Sequence, residues 1–340
     1  MGRYEVNQIS LYPLRFEPIC QYRLWGGRRL ADLLRTPLPG DDPIGEAWIL
    51  SDRDDFPSRV ADGPLKGQTI KQLLEHSPEQ MLGKFAGRFR RFPLLLKFLD
   101  AHEVLSVQVH PSDSQTEYIP AGEHGKTEAW VVLQATPKSR IYAGLSAGTT
   151  LDKLRNAVSN HTEVDNLASF TAKVGDCVFV HSGTVHTISD VVVFEVQENS
   201  DLTFRLYDWD RVDPKTGKAR DLTVPQALAC IDFARGPVSP VPSIVDASGP
   251  TLRERIFDCE HFILWRHSGE TPFTAGAPGS PRVLVCVEGG GELECNGAMY
   301  EVRKGDVMLL PAVVGTCCFS PRDEVTVLEI SLPESRLENS

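Results

Sequence analysis

The chain has 340 residues, with 35 Lys and Arg against 46 Asp and Glu, giving a formal net charge of −11. That balance argues against non-specific nucleic-acid binding, which needs a basic surface, and no apolar run approaches the roughly 20 residues of a membrane span. With 41% hydrophobic and 24% charged residues, the composition is that of an ordinary globular protein long enough for two domains.

Residues 1–16 carry Glu5 and Pro13 and no apolar h-region, so they do not read as a signal peptide. Gly2 invites a myristoylation reading, but Val6 stands where Ser or Thr is needed. The eight cysteines show no CxxC and no framework-like spacing, so reduced thiols in a cytoplasm are the simpler expectation. Short strands are expected over 4–24, with alternation around Ile9-Ser10-Leu11 and a break at Pro13. Leu24-Trp25-Gly26-Gly27 reads as a turn feeding a short helix over 30–34. A strand over 44–51 follows, carrying Glu46, read as a structural carboxylate rather than a general base.

From 69 to 90 the apolar period lengthens to that of a helix. Thr69 can cap a helix over 70–74, and Ser77-Pro78-Glu79 starts another with Pro at its first position. Strand structure resumes over 92–100, where Lys97 in an apolar run is either an edge residue or a functional cation.

Leu105-Ser106-Val107-Gln108-Val109-His110-Pro111 alternates with the period of a β-strand, so Gln108 and His110 share one face and Pro111 ends the strand. Glu128 and His186 follow on strands of their own. An amide oxygen, two imidazoles and a carboxylate make a ligand set for a divalent transition metal, and mixed N/O ligation suits zinc with one position open for substrate. His124, in the polar loop between, reads as solvent-exposed.

Strands are expected over 130–134 and 141–143, then a helix over 151–158 capped by Thr149 or Thr150. Another strand over 170–174 leads into the Gly175-Asp176 turn, and strands follow over 177–196. Arg205 lies between Phe204 and Leu206 and projects into a half-buried space, where a guanidinium needs a carboxylate or phosphate partner. An internal salt bridge to Asp201 or Asp208 is the alternative to a ligand.

A short helix is expected over 224–233. Pro237, Pro240, Pro242 and Pro250 then mark a linker over 237–250. Beyond it, short strands separated by Gly289-Gly290-Gly291, Asn296-Gly297 and Lys304-Gly305-Asp306 suggest an antiparallel sandwich or barrel. No His pair or carboxylate there sits at ligand spacing, so this part reads as structural or as a subunit interface. Gly175-Asp176-Cys177-Val178-Phe179-Val180 and Gly305-Asp306-Val307-Met308-Leu309-Leu310 share one design: a Gly-Asp turn, an apolar strand, then a bend. The expected fold is therefore mainly β, two jelly-roll barrels with small helical insertions at about 69–90 and 221–235. Residues 1–236 would form the site-bearing domain, 237–250 the linker and 251–340 a second, metal-free domain.

Four segments carry a family resemblance: the stretch from Leu105 to Pro111, Gly125-Lys126-Thr127-Glu128-Ala129-Trp130, Ser182-Gly183-Thr184-Val185-His186, and the run from Asn199 to Asp208. With Leu24-Trp25-Gly26-Gly27, Gly45-Glu46-Ala47-Trp48 and Lys97-Phe98-Leu99-Asp100-Ala101, the chain resembles the type I mannose-6-phosphate isomerases of the cupin superfamily, in their short bacterial form. The resemblance covers about residues 10–235. It implies a cytoplasmic aldose–ketose isomerase, monomer or homodimer, with one Zn2+ per chain. Such an enzyme interconverts mannose 6-phosphate and fructose 6-phosphate through a cis-enediol. By the same resemblance Gln108, His110, Glu128 and His186 would hold the metal. Arg205, Lys126 and Glu195 would be catalytic, with Glu195 and Lys126 competing for the proton transfer, and Ser106 and Arg211 would face the substrate. His181 stands where the family usually has Pro, and reads as a neutral replacement on another face. An iron dioxygenase is disfavoured, because the usual His-x-His is Gln108-Val109-His110 here. A non-catalytic sugar-phosphate-binding cupin, or a metal cupin acting on another sugar, remains the rival.

Overall fold

The computed structural model describes residues 10–246, 249 and 251–334. The expected strand residues 4–9 and Pro250 lie outside the described residues. The chain packs into two units, one of residues 18–51 and 94–242, the other of residues 1–17, 52–93 and 243–340. This differs from the contiguous division expected from the sequence. Residues 52–93, with the helices Ile70–His76 and Pro78–Leu82, group with the C-terminal strands. The reason is backbone pairing between distant segments: Ala312 N donates to Met81 O at 3.0 Å, Val313 N to Gln80 O at 2.9 Å and Lys84 N to Gly279 O at 3.1 Å. Leu14 and Leu309 likewise exchange two bonds of 2.8 Å. Helical period reveals an apolar stripe but not which surface will cover it.

The first unit is built on β1 (Ile19–Gly27), β2 (Ile44–Leu50), β3 (Leu94–Ala101), β4 (Val107–Val109) and β5 (Glu128–Leu145). It continues with β6 (Leu167–Thr171), β7 (Cys177–Val180), β8 (His186–Glu198), β9 (Phe204–Tyr207) and a small hairpin, β10 (Val212–Asp213) with β11 (Lys218–Ala219). One path of the main sheet runs β1-β2-β3-β8-β4-β9, and β5 pairs with β6, β7 and β8. All these pairings are antiparallel. The turn expected at 24–27 is instead the end of β1. A Cβ on Gly26 would lie 2.3 Å from Gly45 N, so glycine here permits close approach of two strands rather than a reversal. Trp130, Val132, Ile141, Val178, Val180 and Val193 fill one core with the alternate residues of three strands, β5, β7 and β8. The helix Leu151–Asn160 is capped by Thr150, whose side chain accepts from Lys153 N, and it ends at His161 in the left-handed conformation.

The second unit holds β12 (Ile244–Asp246), β13 (Leu252–Asp258), β14 (Ile263–Gly269), β15 (Phe273–Gly276) and β16 (Arg282–Glu288). To these it adds β17 (Gly290–Cys295), β18 (Ala298–Arg303), β19 (Val307–Leu310), β20 (Thr316–Pro321) and β21 (Val325–Ser331). They form two sheets, β12-β13-β14-β21-β16-β19 and β15-β20-β17-β18, around a core of Leu284, Leu293, Met308, Leu310, Phe319 and Val327. β12 falls within the expected linker, and β13 was not legible as a strand because Arg253-Glu254-Arg255 interrupt its apolar alternation. The expectation of reduced thiols also needs correction, because Cys295 and Cys317 form a disulfide. They lie on the paired strands β17 and β20, at positions that sequence spacing does not bring together.

Candidate metal and substrate site

The pairing of the first unit delivers the expected ligand types to one place. Gln108 on β4 is the register partner of His186 at the start of β8. His110 follows β4 directly, and Glu128 opens β5. One ligand atom from each of His110, Glu128 and His186 falls within 4.8 Å of the others, and all three residues are buried. Nδ1 of His110 lies 2.8 Å from Leu202 O, and Nδ1 of His186 lies 3.0 Å from Thr184 O. A carbonyl can only accept, so each Nδ1 carries the hydrogen and each Nε2 presents a lone pair. Those two Nε2 atoms stand 3.5 and 3.3 Å from the two oxygens of Glu128. Neither oxygen accepts a hydrogen bond of good geometry.

Burial keeps both imidazoles neutral. It pushes His110 down to about 3, with the Lys126 charge adding to the effect, and it lowers His186 in the same direction. For Glu128 burial works the other way, but Lys126 and the two histidines outweigh it and hold the carboxyl well below its usual range. Two lone pairs and an ionised carboxylate aimed at one point are what a divalent cation requires, and backbone carbonyls behind the imidazoles fix their orientation. The residues present therefore fit a metal ion. Gln108 Nε2 lies 3.2 Å from His186 Nε2, while Gln108 Oε1 accepts from Ser106 Oγ at 3.0 Å. Turning that amide by half a rotation presents its oxygen to the same point, with the Ser106 hydroxyl then accepting.

Beside this group lies a cavity of about 320 Å³ whose wall includes Gln108, Lys126, Glu195, Arg205, Lys97 and Glu46. Lys126 Nζ sits 2.6 Å from Glu128 Oε2 and 3.7 Å from Glu195 Oε1. Burial opposes its charge, but Glu128 and Glu195 outweigh that and hold the ammonium protonated. Glu195 is oriented by Trp130, whose Nε1 donates to Oε2 at 2.8 Å. Burial, reinforced by the Glu128 charge, pushes the Glu195 carboxyl up to about 7 against the pull of Lys126 and Lys97.

Lys97 is neither a sheet-edge residue nor exposed. It is buried on β3 and its ammonium lies 3.1 Å from Asp201, 3.7 Å from Glu46 and 3.8 Å from Glu195. Glu46 binds Arg23 Nε at 3.0 Å and Trp48 Nε1 at 2.7 Å, so it is a partnered carboxylate in the cavity wall. Its partners were invisible in the sequence because they come from neighbouring strands and from alternate positions on its own. Arg205 makes no salt bridge to any described residue. Asp201 is taken by Lys97, and Asp208 by Arg211 and Arg220. The Arg205 side chain bonds to no described residue and its Nε is buried without a partner. Burial, with Arg220 close by, works against its charge.

Arg211 stands apart from the cavity wall. Its Nη2 binds Asp208 at 2.5 Å and its Nη1 binds Val104 O at 2.6 Å. Arg23 and Arg220, which sequence reasoning passed over, line the wall in its place. Arg220 lies nine residues beyond Arg211 across the β10–β11 hairpin, and no local pattern separates the two. His124 is exposed, and His181 is exposed against the Phe179 ring, whereas His186 is buried.

Fold and donor set together define a cupin-type protein with a His-Glu-His group able to hold a metal ion in one of its barrels. Residues 14–129 match the model of the phosphomannose isomerase type I catalytic domain. Mannose-6-phosphate isomerase ManA of Bacillus subtilis is 35% identical over 90% of this chain and 95% of its own length. A second protein of that organism, the probable mannose-6-phosphate isomerase GmuF, is 32% identical over 91% of this chain and 98% of its own. The crystal structure of a mannose 6-phosphate isomerase from Bacillus subtilis superposes with a TM-score of 0.85 at 28% identity, covering 94% of this chain and 99% of that one. The chain belongs to the mannose-6-phosphate isomerase family. Among the described residues no helix is long and apolar enough to cross a membrane.

Proposed function

We propose that this protein is a zinc-dependent mannose-6-phosphate isomerase whose chemistry resides in the unit of residues 18–51 and 94–242. One observation carries the reading. The wall of the cavity that borders the His110, Glu128 and His186 group also presents Arg205, a guanidinium whose donors no described residue uses. A half-desolvated arginine with unspent donors beside a metal-competent group suits a substrate that is both an oxyanion and a carbonyl compound.

Gln108, His110, Glu128 and His186 would hold the ion. When bound, it polarises the sugar's C1 or C2 oxygen and lowers the cost of the enediolate charge. Ser106 keeps the Gln108 amide in position. Arg205 binds an anionic oxygen of the substrate, with Arg23 and Arg220 beside it in the wall. Glu195 takes the proton from the carbon next to the carbonyl and returns it to the neighbouring carbon. Trp130 fixes the direction of that carboxylate, and its ionisation near neutrality suits a group that must both take and return a proton. Lys126 is held charged, so it serves the developing oxyanion rather than acting as the base. A non-catalytic sugar-phosphate binder gains nothing from an oriented carboxylate between two lysines.

The test is a coupled assay of mannose 6-phosphate turnover before chelation, after it, and with zinc added back. Activity that disappears with the chelator and returns with zinc is the expected result. Absence of turnover in folded, zinc-loaded protein would reject the proposal.

A further inference from the structure

The second unit has its own polar cavity, of about 620 Å³, whose lining includes Arg253, Trp265, His267, Arg282, Cys318 and Glu329. Strand register relates it to the site in the first unit. After the Gly175-Asp176 turn, Val180 on β7 faces Glu128, and after the Gly305-Asp306 turn, Leu310 on β19 faces Arg282. Two residues further along each of these facing strands, Trp130 pairs with Glu195 and Leu284 pairs with Glu329. On the next strand Lys97 pairs with Glu195, and Trp265 pairs with Glu329. Arg282 thus occupies the position of Glu128, and Glu329 that of Glu195. A cation stands where the first unit has its carboxylate ligand.

The hydrogen-bonding capacity left over in this cavity is one-sided. Glu329 is spent: Oε1 accepts from Gly276 N at 3.1 Å and faces Arg282 Nε at 3.4 Å, and Oε2 lies 3.1 Å from His267 Nε2. His267 is buried and stacked on Phe273 at 4.7 Å. The arginines are not spent. Arg282 uses Nη1 on Ser280 Oγ and Pro281 O, and its Nη2 has no partner among the described residues. Arg253 reaches Asp246 through Nη1 at 3.4 Å, while its Nε is buried without an acceptor. The Trp265 ring fixes that guanidinium in place, 3.9 Å from its centroid. Donors of both arginines remain, while Glu329 is used up and Asp246, also in the lining, pairs with Arg253.

We propose that this cavity is a second, non-catalytic binding site for a sugar-sized molecule bearing a phosphate or carboxylate group, held by Arg253 and Arg282. An oxyanion supplies the acceptors that the two guanidinium groups lack, and such charge-assisted bonds are the strong ones. The cavity volume is that of a small-molecule site. The inference does not depend on the activity of the first unit.

Cys318 supplies a local reporter, since it is free, exposed and part of the cavity lining. Its alkylation by iodoacetamide would be followed by peptide mass spectrometry on the full chain, with mannose 6-phosphate or citrate as the probe and Cys20 as the internal reference. Cys318 alkylation is expected to slow by about tenfold when a probe stands about tenfold above its Kd, because only the unoccupied fraction reacts. Protection by mannose 6-phosphate assigns a phosphate ester, and protection by citrate alone assigns a carboxylate. Arg253→Gln and Arg282→Gln should each remove most of the protection while the thermal melt stays that of the parent. Arg253 is half-exposed, so its change provides a variant that folds if Arg282→Gln does not. No protection by either probe, or protection that survives both changes, overturns the proposal.

Discussion

The two β-units share a register and differ in what their interiors leave unsatisfied. In the first, two imidazole nitrogens and the carboxylate of Glu128 converge on one point, with Gln108 and Lys126 close against them and the unspent donors of Arg205 in the cavity wall beside them. In the second the unspent groups are donors, the guanidinium groups of Arg253 and Arg282, with Glu329 already occupied. One backbone design therefore prepares a cation site in one unit and an anion site in the other, through side chains at matching positions. The fold fixes where polar groups gather, and the sign of what is left over decides what they attract.

The strongest test of that contrast exchanges nothing but these two matched side chains. Glu128→Ala removes an ionised ligand from a buried group. Turnover of mannose 6-phosphate should fall by more than about a hundredfold, the upper end of what losing even an outer partner of a ligand costs. Bound zinc, measured by atomic absorption, should fall with it. Arg282→Gln, at the same register position in the other unit, should leave turnover and zinc content as in the parent. A full zinc complement in folded Glu128→Ala would break the contrast. Arg205→Ala comes next, with an expected loss of about a hundredfold in kcat/KM, the scale of removing one preorganised donor. Its zinc content should stay unchanged, and parental kinetics would show that its unspent donors do not serve the substrate.

How much of this was legible beforehand varies with the range of the interactions involved. Strand alternation put Gln108 and His110 on one face, because a period of two states which residues share a face, while joining Glu128 and His186 to them rested on residue type and the family resemblance. The Gly-Asp turns announced two related units. What a single chain could not show was partner choice. The two helices over 70–82 have a readable apolar stripe, yet nothing in it told that Gln80 and Met81 would pair with Val313 and Ala312. Arg211 and Arg220 read alike in sequence, and only the shared carboxylate of Asp208 and the reach of Arg211 to Val104 O separate them. The second cavity leaves no metal-ligand spacing in the sequence, because its working groups are donors.

The disulfide gives a smaller effect, confined to the second unit. Cys295 and Cys317 close a loop of 22 residues, worth about 3 kcal/mol on the chain-entropy account. The double change Cys295→Ala with Cys317→Ala should lower the urea midpoint of the unit that contains it. Turnover below the midpoint should be unaffected. An unchanged midpoint would mean that the bridge adds no stability, and a matching loss of activity would mean that the units do not work separately.

The smallest effect concerns how each unit treats a buried carboxylate. In the first, Glu46 is buried, but Arg23 and Lys97 outweigh the desolvation and hold it below the usual range. In the second, burial of Asp52 outweighs its bond from Phe92 N and the charges of Arg91 and Lys71, and pushes the carboxyl up to about 6. The folded state then binds a proton more tightly than the unfolded chain, whose Asp titrates near 4. The associated stability is fully present below the unfolded value and is lost as pH rises through about 6, a change of about 3 kcal/mol. Asp52→Asn removes that titration. The stability of the parent relative to Asp52→Asn, from urea melts at each pH, should therefore fall between pH 4 and 7. A flat difference over that interval would show that burial does not hold the proton on Asp52 in the folded protein.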